Sequence, residues 1–322
     1  RRPAFKSRSV HTKIYKFKMK NYNMKKWQYV LVILVSIWLI GFVLGRLFSS
    51  STIEGDQILV IPIKGVISAS SSDSLLSSGT ISSDSILNSL KKAKENKNIK
   101  AVILEINSPG GTVVASKEIA DAVKNLNKPS VALIREVGAS GAYWIASSAN
   151  KVVADELSIT GSIGVISSYL EFSELMQKYG VTYERLVSGK YKDLGSPYKE
   201  LSQDERNLIQ TKLNKIDQAF LRDVKLNRNL TNTKEIETGV FLLGTEAKDL
   251  GLVDVLGNKD TAIEIAKNLS NVKEARIVEF KEKSTLFDLI TRFSSYSPYY
   301  IGLGIGEKLI SSNQNNLEIN AF

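Results

Sequence analysis

The sequence predicts an α/β fold of layered βα repeats preceded by one membrane-spanning helix. Two observations carry that prediction. From about residue 57 to 280, short apolar runs alternate with helix-periodic stretches, the pattern of strands covered by crossover helices. Ahead of them, residues 27–45 (WQYVLVILVSIWLIGFVLG) carry no charge, between Lys26 and Arg46.

The N-terminal elements come first. Nineteen residues at ~1.5 Å each span about 28 Å, close to a bilayer's hydrocarbon core. A cleaved signal peptide is the alternative. The run is longer than a usual signal core and no small-x-small site follows it cleanly, although Ser49–Thr52 keeps that option open. Residues 1–26 hold ten Lys/Arg and no acid, which places that side in the cytoplasm and the remainder outside. Met24-Lys25-Lys26 has the form of a natural start. Under that reading residues 1–23 do not belong to the natural protein.

Next, Gln57–Ile67 is β-rich, with Pro62 marking an edge or bulge, and the Ser-rich stretch 68–83 is a loop. Asp84–Asn96 is helical with Asp84 as N-cap, Ala101–Ile106 a strand, Val113–Leu126 an amphipathic helix and Ser130–Ile134 a strand. Gly141–Ala149 is helical, Val152–Ala154 and Ile163–Ser167 are strands, Phe172–Tyr179 is helical and Tyr183–Val187 extended. Ser202–Leu226 is the longest helix, opening on the capping-box pattern Ser202-Gln-Asp-Glu205. Asp260–Leu269 and Ala275–Phe280 supply a last helix and strand, and Leu286–Phe293 in the tail has the form of an amphipathic docking segment.

Composition narrows the chemistry. The chain has 322 residues, no cysteine and one histidine, His11. That excludes disulfides and thiolate chemistry and leaves a zinc site without its usual ligands. The net charge of +10 is concentrated in the N-terminal tail: beyond Arg46 the chain carries 32 basic against 33 acidic residues. A nucleic-acid-binding face is therefore not expected.

Three segments have the residues for acyl chemistry. Asn107-Ser108-Pro109-Gly110-Gly111 follows an apolar strand and precedes a helix, so its glycine amides suit an oxyanion hole, although taken alone it is an ordinary Pro-Gly turn. Ser140 lies in Gly138-Ala139-Ser140-Gly141-Ala142-Tyr143-Trp144, flanked by small residues. It is either a nucleophile with the Gly141 amide as a second donor, or a close-packing or capping serine. A nucleophilic serine needs a base, and His11 precedes the membrane segment. Lysine is the best-attested substitute. Lys192, 52 positions on, is one choice, and Lys190 and Lys199 are others. A solvated lysine has a pKa near 10.4, so the base must be desolvated to be neutral.

Together these segments resemble a family. Asn107–Gly111, Gly138–Ala146, Thr160-Gly161-Ser162-Ile163-Gly164, Ser188–Pro197 and Ala247–Asp254 occur in the order seen in signal peptide peptidase A, a membrane-anchored serine–lysine protease of the Clp/crotonase fold superfamily. The resemblance runs from about Gln57 to Phe280. It implies Ser140 as nucleophile, Lys192 as general base, Ser162 as the hydroxyl that holds the lysine, and Gly110, Gly111 and Gly141 as the oxyanion hole. It implies no metal or organic cofactor, substrates that are remnant signal peptides and other apolar segments, and a homo-oligomer in which adjacent subunits supply the serine and the lysine. The domain plan is then a basic tail (1–26), an anchor in the lipid bilayer (27–48), a peptidase domain (49–282) and a C-terminal tail (283–322).

The sequence departs from the family pattern at Ala142 and Trp144, which bears on pocket shape, and at Gly239–Gly244, which bears on local packing. Alternatives are a related serine–lysine protease that cuts a stomatin-type membrane partner, a crotonase-like acyl-CoA enzyme, and a non-catalytic membrane scaffold.

Overall fold

The computed structural model describes residues 25–47, 55–69 and 79–280. The basic tail before Lys25 with His11, most of the Ser-rich loop, and the tail after Phe280 with Leu286–Phe293 lie outside the described residues. The chain divides into two units, Arg1–Glu54 and Gly55–Phe322.

In the first unit, α1 is one continuous helix, Lys26–Leu47, and its described apolar side chains, Trp27 through Val43, are exposed. Side chains are described over 27–43, about 26 Å of helix. Among the described residues no helix is long and apolar enough to cross a membrane. The helix is as expected; the span is not met by its described part.

The second unit runs β1 (Gln57–Lys64), β2 (Val66–Ser68), β3 (Thr80–Ser82), α2 (Ser83–Glu95), β4 (Ile99–Ser108), α3 (Val113–Lys124), β5 (Ser130–Ala139), α4 (Gly141–Ser147), β6 (Lys151–Ala154) and β7 (Ile159–Gly161). It continues with α5 (Ser173–Lys178), α6 (Gln203–Asn227), α7 (Thr233–Ile236), β8 (Phe241–Leu243), α8 (Gly244–Asp249), β9 (Val255–Leu256), α9 (Lys259–Ser270) and β10 (Arg276–Glu279). Eight strands form one sheet, β10-β1-β4-β5-β6-β9, with β7 beside β5 and β8 beside β7. The β7–β8 pairing is antiparallel; the others are parallel.

The sheet is covered on both faces, so its strands are apolar on consecutive positions. Ile58 and Val60 of β1 and Ala101 and Ile103 of β4 face Ala262 and Ala266 of α9. The intervening Leu59, Ile61, Val102 and Leu104 pack with Ile86, Leu90, Ile119 and Val123 of α2 and α3. Each such side chain contributes about 1.5–3 kcal/mol. β1 pairs with β4 through Lys64 but with β10 only through Val60, so Pro62 lies where the sheet has an open flank.

Several boundaries differ from the sequence expectation. Ser82, not Asp84, is the N-cap residue of α2, and Asp84 sits in the first turn, where its carboxylate favours the positive helix end. Ile163–Ser167 and Tyr183–Val187 form no strand. Ile163 is buried in the core, but Ile166 and Leu186 are exposed, by 89% and 93%. The capping box of α6 is present: Ser202 N–H donates to Glu205 Oε2 at 2.9 Å and Glu205 N–H to Ser202 Oγ at 3.3 Å.

Candidate active site

The site forms at the C-terminal end of β5, the usual place for a site on a parallel sheet. β5 pairs first with β6, through Ile134, and then with β7, from Val137 to Ala139. The switch opens a crevice where β5 meets α4. Ser140 occupies that junction with φ 53° and ψ −127°, a conformation that costs a non-glycine residue about 1–3 kcal/mol. Its N–H donates to Gly161 O at 2.9 Å, and its carbonyl accepts from Trp144 N–H at 3.0 Å. It is the N-cap residue of α4, yet its hydroxyl makes no capping bond. Strain at both dihedrals thus aims the Oγ outward instead of into the helix end.

Small neighbours make this turn possible. A Cβ at Gly138 would meet the Ile134 side chain at 2.8 Å, and one at Gly141 would meet Ser116 Oγ at 2.2 Å. Gly138 O accepts from Thr160 Oγ1 at 2.8 Å, fixing the β5–β7 register that carries Ser162.

The two glycines of Gly110-Gly111 play different parts. Gly110 has φ +105°, and a Cβ there would lie 2.8 Å from Gly141 N and 3.0 Å from Ser140 Cβ. Its amide donates to Ser108 Oγ at 3.1 Å, so in this conformation that N–H is not available to an oxyanion; Gly110 serves by close approach. A Cβ at Gly111 would stand 1.9 Å from Ile67 O. The Gly111 amide makes no backbone hydrogen bond to another described residue, and the Gly141 amide belongs to the first turn of a helix, where no intrahelical acceptor exists. Among the described residues, two unspent donors therefore flank Ser140.

A cavity of about 510 Å³ opens there, lined by Gly111, Ser140, Gly141 and Ser162 and by the apolar Val113, Trp144, Val165, Ile166 and Phe220. Ser162 is itself at φ 48° and donates its N–H to Val240 O at 3.0 Å. Trp144 stacks on Phe220 at 4.4 Å with planes 10° apart, and its Nε1 donates to Asp223 Oδ2 at 3.2 Å. The departure at Trp144 thus supplies a rigid apolar wall. Phe220, from the distant α6, had no signal in the sequence beyond helical periodicity.

Ser140, Ser162, Gly111 and Gly141 are brought together; Lys192 is not. It is exposed in the turn 190–195 and does not line the cavity. Arg185 holds that turn, donating to Asp193 Oδ1 at 2.7 Å and Lys190 O at 3.0 Å. The three lysines differ in their partners. Lys190 lies 2.9 Å from Asp204 and Lys199 2.5 Å from Glu205. The Asp204 bond raises the Lys190 pKa, the wrong direction for a base. Among the described residues, no ion pair or hydrogen bond engages the Lys192 ammonium.

A hydroxyl held in strain over two free amides can add to a carbonyl and stabilise the resulting anion. Among the described residues, no group of three or more acidic, His or Cys side chains is placed to hold a metal ion.

Known proteins agree with this chemistry. The sequence matches Peptidase family S49 over residues 122–273 and Clp protease over residues 77–157. It is 36% identical over 236 residues to the provisionally named protease MJ0651 of Methanocaldococcus jannaschii, covering 71% of this chain and 75% of that one. A provisionally named signal peptide peptidase SppA of Enterococcus faecium is also 36% identical over 236 residues, covering 72% and 69%. The chloroplastic serine protease SPPA of Arabidopsis thaliana is 32% identical over 270 residues, 81% of this chain and 39% of its own. Matching over two thirds or more of the first two relatives, the chain belongs to peptidase family S49, the serine proteases that include signal peptide peptidase A.

Proposed function

We propose that this chain is a membrane-anchored serine endopeptidase that uses a Ser140–Lys192 dyad to cut remnant signal peptides and other apolar peptides at the membrane. The observation that carries the proposal is the strained backbone of Ser140 between the unspent Gly111 and Gly141 amides. Neutral Lys192 removes the Ser140 proton, the alkoxide adds to the peptide carbonyl, and the two amides hold the oxyanion. The protonated lysine then gives its proton to the leaving amine. Water, deprotonated by the same lysine, hydrolyses the acyl-enzyme. Ser162 orients the lysine.

Lys192 reaches this cavity from an adjacent copy. Two features support that arrangement: its ammonium is unengaged among the described residues, and apolar side chains along 164–201 are exposed, with Ile166, Leu170, Tyr179 and Leu186 all above 70%. A monomer rarely leaves so much apolar surface uncovered. The apolar walls of the cavity suit the side chains of a signal peptide. The uncharged run 27–45 supports an anchor with its basic side in the cytoplasm and the peptidase domain outside it.

A serine-reactive phosphonate probe tests the proposal on the full chain in membranes. Labelling is expected in the unchanged protein, absent in Ser140→Ala and strongly reduced in Lys192→Ala. Undiminished labelling of Ser140→Ala overturns the nucleophile, and undiminished labelling of Lys192→Ala overturns the base.

A further inference from the structure

We infer that Ser116 is a specificity-determining residue: its hydroxyl bonds a hydroxyl or carboxamide on the substrate side chain that enters the cavity beside Ser140. The inference rests on the peptidase reading above and names the substrate feature that the cavity selects.

Ser116 lies on the buried face of α3, with Ala115, Ile119, Ala120 and Val123. It is fully buried, and it forms part of the wall of the Ser140 cavity. Among the described residues its Oγ has no hydrogen-bond partner. Nearly all buried hydroxyls in folded proteins are paired, because an unpaired one forfeits its hydration. Alanine would suit both the helix and the apolar surroundings better. A serine that gives up this much in the resting protein has a partner that arrives later.

Gly141 decides where that partner arrives. The position of its missing Cβ is 2.2 Å from Ser116 Oγ and 3.4 Å from Gly111 N. Any side chain at 141 would collide with the hydroxyl, which packs against the Gly141 backbone in the wall of the cavity, next to the proposed oxyanion hole. A peptide whose carbonyl oxygen sits between the Gly111 and Gly141 amides places the side chain of the same residue in that cavity.

The other polar side chains of the cavity have a partner or a role already. Trp144 Nε1 donates to Asp223, and Thr238 Oγ1 donates to Glu235 O at 2.7 Å. The Ser140 and Ser162 hydroxyls belong to the proposed reaction. Ser116 is the group left to read a side chain, against the apolar Val113, Trp144 and Phe220. The cavity therefore favours a mostly apolar side chain with one polar atom. Threonine is preferred over its isostere valine at the residue preceding the cleaved bond.

Two peptides differing only by Thr or Val at that residue test this. The Thr/Val ratio of kcat/KM is measured for the full chain and for Ser116→Ala. The ratio is expected to be about five- to tenfold higher with Ser116 present, the worth of one net hydrogen bond. Equal ratios in the two proteins overturn the inference. Thermal unfolding separates misfolding from lost recognition: Ser116→Ala is expected to melt at the same temperature or higher. Calorimetric binding of both peptides, in the Ser140→Ala background with and without Ser116→Ala, separates failure of the peptidase reading. A Ser116-dependent Thr/Val ratio in binding without any cleavage by the unchanged chain rejects the peptidase reading and keeps this one. Equal affinities, or no binding, reject this one.

Discussion

The Ser140 amide donates to the Gly161 carbonyl at 2.9 Å, and that bond ties the residue of strained backbone to the strand that delivers Ser162. Thr160 Oγ1 on Gly138 O reinforces the same seam from the other side. The geometry of the cavity is therefore set by the β5–β7 junction, with the sheet core behind it.

Strain at Ser140 predicts an opposition between stability and activity. Ser140→Gly relieves the unfavourable φ and ψ, while Ser140→Ala keeps them. The glycine variant is expected to be more stable than the alanine variant by about 1 kcal/mol, strain relief outweighing the extra chain entropy of glycine. Both lose cleavage. Urea unfolding of the two variants measures the difference; equal midpoints would mean the turn stores no strain.

Gly110 predicts a steric route to the same loss. Alanine there combines φ +105° with contacts at 2.8 Å to Gly141 N and 3.0 Å to Ala139 O, all of them to backbone or to Ser140. Gly110→Ala is expected to cost about 2 kcal/mol or more and to lower kcat at least about a hundredfold by displacing an oxyanion donor. Gly189→Ala, where a Cβ meets nothing within 4 Å, is the control and leaves stability nearly unchanged. Chemical denaturation and steady-state kinetics on both variants check this.

A shared dyad predicts complementation. Ser140→Ala and Lys192→Ala chains are each inactive, but co-assembled from denaturant they regain a fraction of the activity, because some sites pair an intact serine with an intact lysine. The recovery follows the mixing ratio. No recovery at any ratio, in assemblies shown by sedimentation to be mixed, would place both residues in one chain.

The sequence carried more of the site than of its surroundings. The glycines at 110, 111 and 141 and the serines at 140 and 162 stood out through the order of the motifs that carry the family resemblance, since each alone reads equally well as a turn or packing residue; the structure brings Gly111, Ser140, Gly141 and Ser162 to one cavity. Helices 113–126, 202–226 and 260–269 were legible through periodicity and caps. Ile163–Ser167 and Tyr183–Val187 misled because apolar composition reports burial and not pairing: Ile163 is buried without belonging to a strand, and Ile166 and Leu186 are exposed in the single chain. β8 and β9, three and two residues long, are too short to leave a pattern. Ser116 left a faint signal, a hydroxyl at i−3 from Ile119 on the apolar face of its helix.

The α6 start predicts an acid-side stability window. Glu205 is nearly fully covered and lies 2.5 Å from the Lys199 ammonium. That hydrogen bond, with the Ser202 amide, lowers its pKa from the usual 4.5 to about 2. A carboxyl with a depressed pKa stabilises the fold above its unfolded value and loses that contribution as pH falls through the folded value. The difference in stability between the unchanged chain and Glu205→Gln should therefore be constant above about pH 5.5. It should shrink below about 4.5 and vanish near 2. The amide oxygen of glutamine still accepts from Ser202, so the cap survives and the difference reports the Lys199 pair. Asp193, also lowered by its Arg185 bond, is common to both proteins and largely cancels. Melting temperatures across pH 2–7 measure the curve, and a difference independent of pH would remove the ion pair from the account of how α6 is anchored.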